Sequence, residues 1–256
     1  MRVRPYLILP LAALLALCIY RAQVQLSEAS AQESPPPAAE PVPAPPALPA
    51  ASPRPRPPRT LRVSGRGDVV LRKRPGGDAV GVVGPTTEFG SPRVLSVAAR
   101  RGAWLGVVTE DQPNGKLAWV KARDRGVRAG RTRWSLHADL SDRRVELRRG
   151  DRVVRTVTVA IGTAGSPTPT GRFSVTDKIP GTRYGSYYGC CILALSGTQP
   201  NPPPGWTGGN RLAIHGTNAP STIGTPASAG CLRAADDDLQ VLMRLVPLGT
   251  PVLISA

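Results

Sequence analysis

Two imidazoles and four thiols stand out in this 256-residue chain: His137, His215, Cys18, Cys190, Cys191 and Cys231. A thiolate attacks carbonyl carbon readily, and a nearby neutral imidazole generates it by accepting the proton. Cys231 follows His215 by sixteen residues. His215 comes after the apolar run Leu212-Ala213-Ile214 and before Gly216-Thr217, the pattern of a strand that ends in a turn. Cys231 sits in Ser228-Ala229-Gly230-Cys231-Leu232-Arg233, where a glycine just ahead of the thiol lets backbone N–H groups converge on an oxyanion. His137 lies in the alternating stretch SLHADL, with nothing reactive nearby in sequence, and reads as a structural histidine. A buried Cys acting as a small hydrophobe and a strand-end His are both common, so spacing alone does not assign a catalytic pair.

The remaining cysteines do not describe a disulfide scaffold. Cys18 falls in an N-terminal stretch with the features of an export segment, which leaves three, so at least one thiol is expected to be free. Adjacent cysteines close only a strained ring, and a Cys190–Cys191 bridge is not favoured. The export segment covers residues 1–31. Arg2 and Arg4 precede the apolar run Leu7 to Tyr20, and Ala29-Ser30-Ala31 is a cleavage signature. The run is short for a full span, but Arg21 interrupts the path to the cleavage site, so signal peptide and membrane anchor both stand. Leu17 before Cys18 argues against lipidation. Either way the rest of the chain is expected outside the cytoplasm, in the cell envelope.

The formal net charge is +16, which raises nucleic acid as a partner. Aromatic residues make up only 4% of the chain, too few for base stacking, and export would separate it from nucleic acid. No nucleic-acid partner is expected; a cationic surface suits anionic wall polymers or lipid headgroups instead.

Positioning the reactive residues falls to a mostly β chain. Residues 32–59 are dominated by Pro and Ala and read as an extended spacer. Residues 60–127 hold short apolar runs, Val69 to Leu71, Val80 to Val83, Val94 to Val97, Trp104 to Val108 and Leu117 to Val120, with Asn114-Gly115 as a hairpin signal. Such spacing predicts a small barrel. Lys121 to Arg131 reads as a polar connector. In residues 132–256, Trp134 to Leu140, Arg143 to Arg148, Val153 to Ile161, Phe173 to Thr176 and Pro251 to Ile254 are strand-like. One late amphipathic helix begins at Asp236, with Leu239, Leu242 and Val246 on one face. Ile179 to Asn210, rich in Gly, Pro, Ser and Tyr, reads as one long loop, either a substrate-covering lid or a surface insertion.

Two resemblances sharpen this reading. Residues 60–127, above all WLGVVTEDQPNGKLAWV, are similar to bacterial Src-homology-3-like domains, which implies binding of wall material or packing against the second domain; a plain spacer remains the alternative. Residues 132–256 resemble the L,D-transpeptidase catalytic domain, the YkuD-like family. The resemblance rests on Thr168-Pro169-Thr170-Gly171-Arg172-Phe173, Ile214-His215-Gly216-Thr217, Gly224, Ser228-x-Gly230-Cys231-x-Arg233 and Gly249-Thr250-Pro251-Val252. It implies Cys231 as nucleophile, His215 as general base oriented by the Gly216 carbonyl, and the amides of Gly230 and Cys231 as oxyanion hole. Arg233 would pair with a substrate carboxylate or brace the loop; Ser228 and Thr217 would support the loop or substrate. Ala229 departs from the pattern, since many members carry His there. The implied reaction is acyl transfer on peptidoglycan stem peptides. It proceeds without metal or other cofactor, by a monomer open to carbapenems, with release of terminal D-alanine and formation of a cross-link. An L,D-carboxypeptidase and a non-catalytic wall-binding protein are the alternatives.

Overall fold

A computed structural model describes residues 59–256; the export segment and nearly all of the Pro/Ala-rich spacer lie outside the described residues. The described residues fall in one compact unit. Within it the chain builds two large sheets, one after the other.

The first sheet holds β1 (Arg59–Val63), β2 (Val69–Arg72), β3 (Ala79–Val83), β4 (Val94–Arg101), β5 (Trp104–Val108), β6 (Ala118–Lys121) and β7 (Val127–Arg131). Their order is β3-β2-β6-β5-β4-β1-β7, and every pairing is antiparallel. Alternate residues turn inward, so Leu61, Val63, Val69, Leu71, Leu95, Leu105, Val107 and Val120 form a core of their own. The stretch expected to be a connector contains β7, which pairs along its whole length with β1. Its sequence, VRAGR, hides this because an exposed edge strand has no inner face to fill with apolar residues. Asn114-Gly115 does not close a two-residue turn. The β5–β6 loop is longer, and Asn114 uses its side chain to bond both backbone groups of Thr198, at 2.7 and 3.0 Å.

The second sheet comprises β8 (Trp134–Asp139), β9 (Arg144–Arg149), β10 (Arg152–Thr158), β12 (Gly171–Pro180), β13 (Cys191–Thr198), β14 (Arg211–His215), β16 (Leu232–Arg233) and β17 (Pro251–Ser255). Their order is β10-β9-β8-β17-β12-β13-β14-β16, with parallel joins at β8–β17 and β14–β16. A separate parallel pair joins β11 (Ile161–Gly162) to β15 (Pro226–Ser228). The α-helix among the described residues, α1 (Asp236–Leu245), lies against β13 and β14. Leu239, Leu242 and the C-cap Val246 are fully buried there, at about 1.5–3 kcal/mol of burial each.

The long loop expected over residues 179–210 is not one loop. β13 occupies its middle, seven of its eight residues buried. Cys191, Leu193 and Leu195 face the helix-side core, while Ile192 and Ala194 face a smaller cluster with Ile179 and Ala213 on the opposite side. A strand covered on both faces shows no polar alternation, so CILAL carries no strand period in sequence. What remains of the loop is two shorter segments: residues 181–190, with 3-10 turns at Gly181–Arg183 and Ser186–Tyr188, and residues 199–210. β12 feeds both clusters. Phe173 and Val175 face the helix-side core, a register shift between Val175 and Asp177 flips the strand, and Ile179 faces the other way.

The two sheets are joined by polar contacts. Thr87 donates to the fully buried carboxylate of Asp177, Arg211 pairs with Glu88 at 2.6 Å, and Asn114 holds Thr198 as above.

Candidate active site

β14 and β16 position the two reactive residues. Along β14, Leu212 and Ile214 face the helix-side core, so Arg211, Ala213 and His215 face the opposite side, where Ala213 joins the smaller cluster. On the neighbouring segment Leu232 and Ala234 face the core and Cys231 packs against the smaller cluster. The register sets Ile214 beside Leu232 and His215 beside Arg233. Cys231, Arg233 and His215 therefore share one side of the sheet. The Cys231 Sγ lies against the β14 backbone, 3.9 Å from the Arg211 carbonyl oxygen.

His215 is 1% exposed. Its Nδ1 lies 2.6 Å from the Gly216 carbonyl oxygen, so Nδ1 carries the proton that the bond requires and Nε2 keeps its lone pair. Burial pushes the imidazole pKa down to about 4; the Gly216 bond opposes that shift and the Arg233 charge adds to it. Cys231, a free thiol and half-buried, is pushed up to about 11 by burial, countered in part by a backbone hydrogen bond with Ala213 and by Arg233. At neutral pH the resting pair is thus thiol and neutral imidazole.

Polar side chains hold the backbone around this pair. Ser228 Oγ donates to the Cys231 carbonyl at 2.6 Å and accepts from the Gly230 N–H at 3.0 Å. The Gly230 amide, expected in the oxyanion hole, is therefore already bonded in this structure, because the loop folds back on its own serine. Gly230 has φ +116°, and a Cβ there would collide with the Gln199 side chain. Arg233, 8% exposed, donates from Nη2 to Tyr187 Oη at 2.9 Å and to the Ala227 carbonyl at 3.0 Å, with its guanidinium 5.0 Å from the Tyr187 ring. The Thr217 amide donates to Asp236 at 3.3 Å and its hydroxyl accepts from Ala219 at 3.0 Å.

Three contributions were not foreseen from sequence. Asp236, read as a helix-start acid, binds the Cys190 amide at 3.0 Å as well as that of Thr217, clamping the turn after His215 to the segment before β13. Buried Gln199 donates to the carbonyls of Pro167 and Ala229, at 2.9 and 3.1 Å, and so ties the loop before Cys231 to the Thr168-Pro169-Thr170-Gly171 segment. Cys190 and Cys191 form a disulfide, contrary to expectation. The bridge sits where Gly216 N–H donates to the Cys191 carbonyl and Asp236 takes the Cys190 amide, so local packing already brings the two residues together. Glycines at 189 and 216 permit this approach, since a Cβ on either would strike Asp236.

Cys231 opens into a cleft lined by Tyr184, Tyr187, Tyr188, Trp206, Arg211 and, from the loop between β3 and β4, Phe89. The Tyr188 ring stands edge-on to His215 at 4.9 Å. His137 lies elsewhere, on β8 at the outer face of the sheet, beside Glu146 and Arg148. Among the described residues no group of three or more His, Cys, Asp or Glu converges as a metal site would require. Among them, too, no helix is long and apolar enough to cross a membrane.

The comparisons with known proteins fall on this second half. Residues 133–254 match the model of the YkuD L,D-transpeptidase catalytic domain. A Bacillus licheniformis protein named as the L,D-transpeptidase YkuD is 33% identical over 124 residues, 48% of this chain and 66% of its own length. Its namesake in Bacillus subtilis is 35% identical over 107 residues, 41% of this chain and 56% of its own. The chain thus spans less than two thirds of these relatives. Among solved structures, an L,D-transpeptidase from Mycobacterium smegmatis superposes with TM-score 0.41 at 16% identity, covering 63% of this chain and 82% of that one. Residues 133–254 of this chain are therefore similar to the YkuD L,D-transpeptidase catalytic domain.

Proposed function

We propose that the protein is an exported L,D-transpeptidase that cross-links peptidoglycan through an acyl-enzyme on Cys231. The carrying observation is a free thiol open to a cleft, on the same side of the sheet as a buried imidazole whose Nδ1 is held by Gly216 and whose Nε2 is left as a base.

With the thiol raised and the imidazole lowered, proton transfer accompanies attack rather than preceding it. His215 Nε2 takes the proton as sulfur adds to the carbonyl carbon of the third stem residue. The tetrahedral intermediate collapses, the amine of D-alanine leaves with the proton from His215, and a thioester remains. A side-chain amine of a second stem then attacks the thioester, His215 takes its proton, and the thiol is regenerated. The Cys231 amide serves the oxyanion, and Gly230 joins it if its bond to Ser228 yields on binding. Arg233 braces the loop through Tyr187 and Ala227, and its charge favours the thiolate. Residues 1–31 direct export or anchor the chain, residues 32–59 space it from the membrane, and residues 60–127 act as a Src-homology-3-like domain docked on the catalytic one.

Intact-mass analysis after incubation with a carbapenem tests this reading, with peptide mapping of the adduct. One adduct on Cys231, together with D-alanine release from tetrapeptide stems, is the expected result. An adduct on any other residue, or none, overturns it.

A further inference from the structure

The carbonyl that orients His215 belongs to a peptide unit with a second anchor. Gly216 C=O and Thr217 N–H are the two ends of one planar trans unit, and they point in opposite directions. The carbonyl meets His215 Nδ1 at 2.6 Å, and the N–H donates to Asp236 Oδ1 at 3.3 Å. We infer that Asp236 is a positioning residue for His215: through the Gly216–Thr217 peptide its carboxylate holds the imidazole in the tautomer that leaves Nε2 as the base. The role rests on the function proposed above and deepens it.

The chain places this carboxylate with little freedom. Ala234 N–H donates to the His215 carbonyl at 2.9 Å, so α1 starts beside the end of β14 and its first residue, Asp236, reaches the turn that follows. The other oxygen, Oδ2, accepts the Cys190 N–H at 3.0 Å, so an amide on each oxygen holds the carboxylate in place. Gly216 is pinned through its own N–H as well, by the Cys191 carbonyl at 3.0 Å. Gly216 has no left-handed φ, yet a Cβ there would strike Asp236 Oδ1, and so would one on Gly189. Two glycines thus make room for one acid. The Asp236 carboxylate is taken up by these amides, whereas Asp238 pairs with Arg155 at 2.7 Å.

Hydrogen bonds in series polarise one another. As His215 takes the proton from Cys231, positive charge grows on the ring. The carboxylate, one peptide unit away, draws on the Thr217 N–H and leaves more negative charge on the Gly216 oxygen that meets Nδ1–H. An acid that served only the helix N-terminus would act through the helix dipole. Asp237 and Asp238 share that task from the same turn, and it calls for neither glycine.

Ring 15N NMR of the full chain at pH 7 tests the role without turnover, with His137→Gln to assign the two histidines. Wild-type His215 should show Nδ1–H, and the Thr217 amide should be protected from hydrogen exchange. Asp236→Ala should release the peptide, so that the Nε2–H form, which free histidine favours, becomes a large fraction. Carbapenem acylation of that variant should slow by about tenfold, less than the loss expected on removing the base itself. Asp236→Asn, which keeps one acceptor oxygen, should recover most of the rate, and Asp237→Ala should match the wild type in both readouts. An unchanged tautomer in Asp236→Ala, equal slowing by Asp237→Ala, or a freely exchanging Thr217 amide in the wild type would each overturn the inference; the last needs no variant to fold. A wild-type chain that forms no adduct would sink the chemistry alone, since the tautomer still reports the positioning.

Discussion

His215 and His137 each stand beside an arginine on the same sheet, yet their surroundings differ in kind. His137 is half-buried on the outer face, where burial and Arg148 lower its pKa and Glu146 opposes them. Charges of both signs reach it, and water remains close. His215 is enclosed, its tautomer is fixed by a backbone carbonyl, and the nearby charge is Arg233. What separates the two rings is enclosure and a fixed orientation, not the presence of charged neighbours.

Four measurements break or sharpen this contrast. Cys231→Ala should abolish both carbapenem adduct formation and D-alanine release, read by intact mass and stem turnover; a surviving adduct would move the nucleophile elsewhere. His215→Ala should retain the fold by circular dichroism and slow acylation by ~10²–10⁴. The third measurement is pH dependence. His215 goes from an ordinary value of 6.5 to about 4 on folding, so between those values the unfolded chain binds the extra proton and stability falls as pH falls. The loss should reach on the order of 3 kcal/mol by pH 4, and the acid limb of acylation should lie near 4. His215→Gln should flatten the corresponding slope in denaturant midpoints; an unchanged slope would refute the assignment. Smallest is His137→Ala, expected to change acylation by less than about twofold and stability by about 1 kcal/mol or less. Equal effects of the two histidine variants on acylation would remove the contrast altogether.

How legible these features were in sequence follows from how each was built. Strands with one inner face announced themselves: Trp104 to Val108 is β5 to the residue, and Val69 to Leu71 falls within β2. The helix face of Leu239, Leu242 and Val246 was equally plain. Elements at the two extremes of burial were hidden, β13 because both its faces are covered and β7 because it is an edge. His215 and Cys231 stand out as candidates because chemistry restricts which residue types serve, although their spacing alone does not pair them. Asp236 and Gln199 do not stand out, since each acts by receiving or giving hydrogen bonds to backbone far away in sequence, and any polar residue suits that pattern on paper. The Cys190–Cys191 bridge was hidden in the same way, for its neighbours come from residues 216 and 236.

The contact between Thr87 and Asp177 bears on how the molecule comes apart. Asp177 is fully buried, and its second carboxylate oxygen has no hydrogen-bond partner among the described residues. Stripping away the first sheet would remove the Thr87 hydroxyl and leave that carboxylate facing either vacancy or water, while Asn114 would cease to hold Thr198. Loss of a buried polar partner costs about 1–3 kcal/mol, more where the group is charged. The two sheets should therefore melt together, giving one calorimetric transition for residues 59–256, and a chain cut to begin at Thr132 should melt earlier. Two separated transitions would mean that the halves behave as beads on a string. Melting as one body makes the second half dependent on the first for its cohesion, so a graft of that half onto another carrier would need a new partner for Asp177.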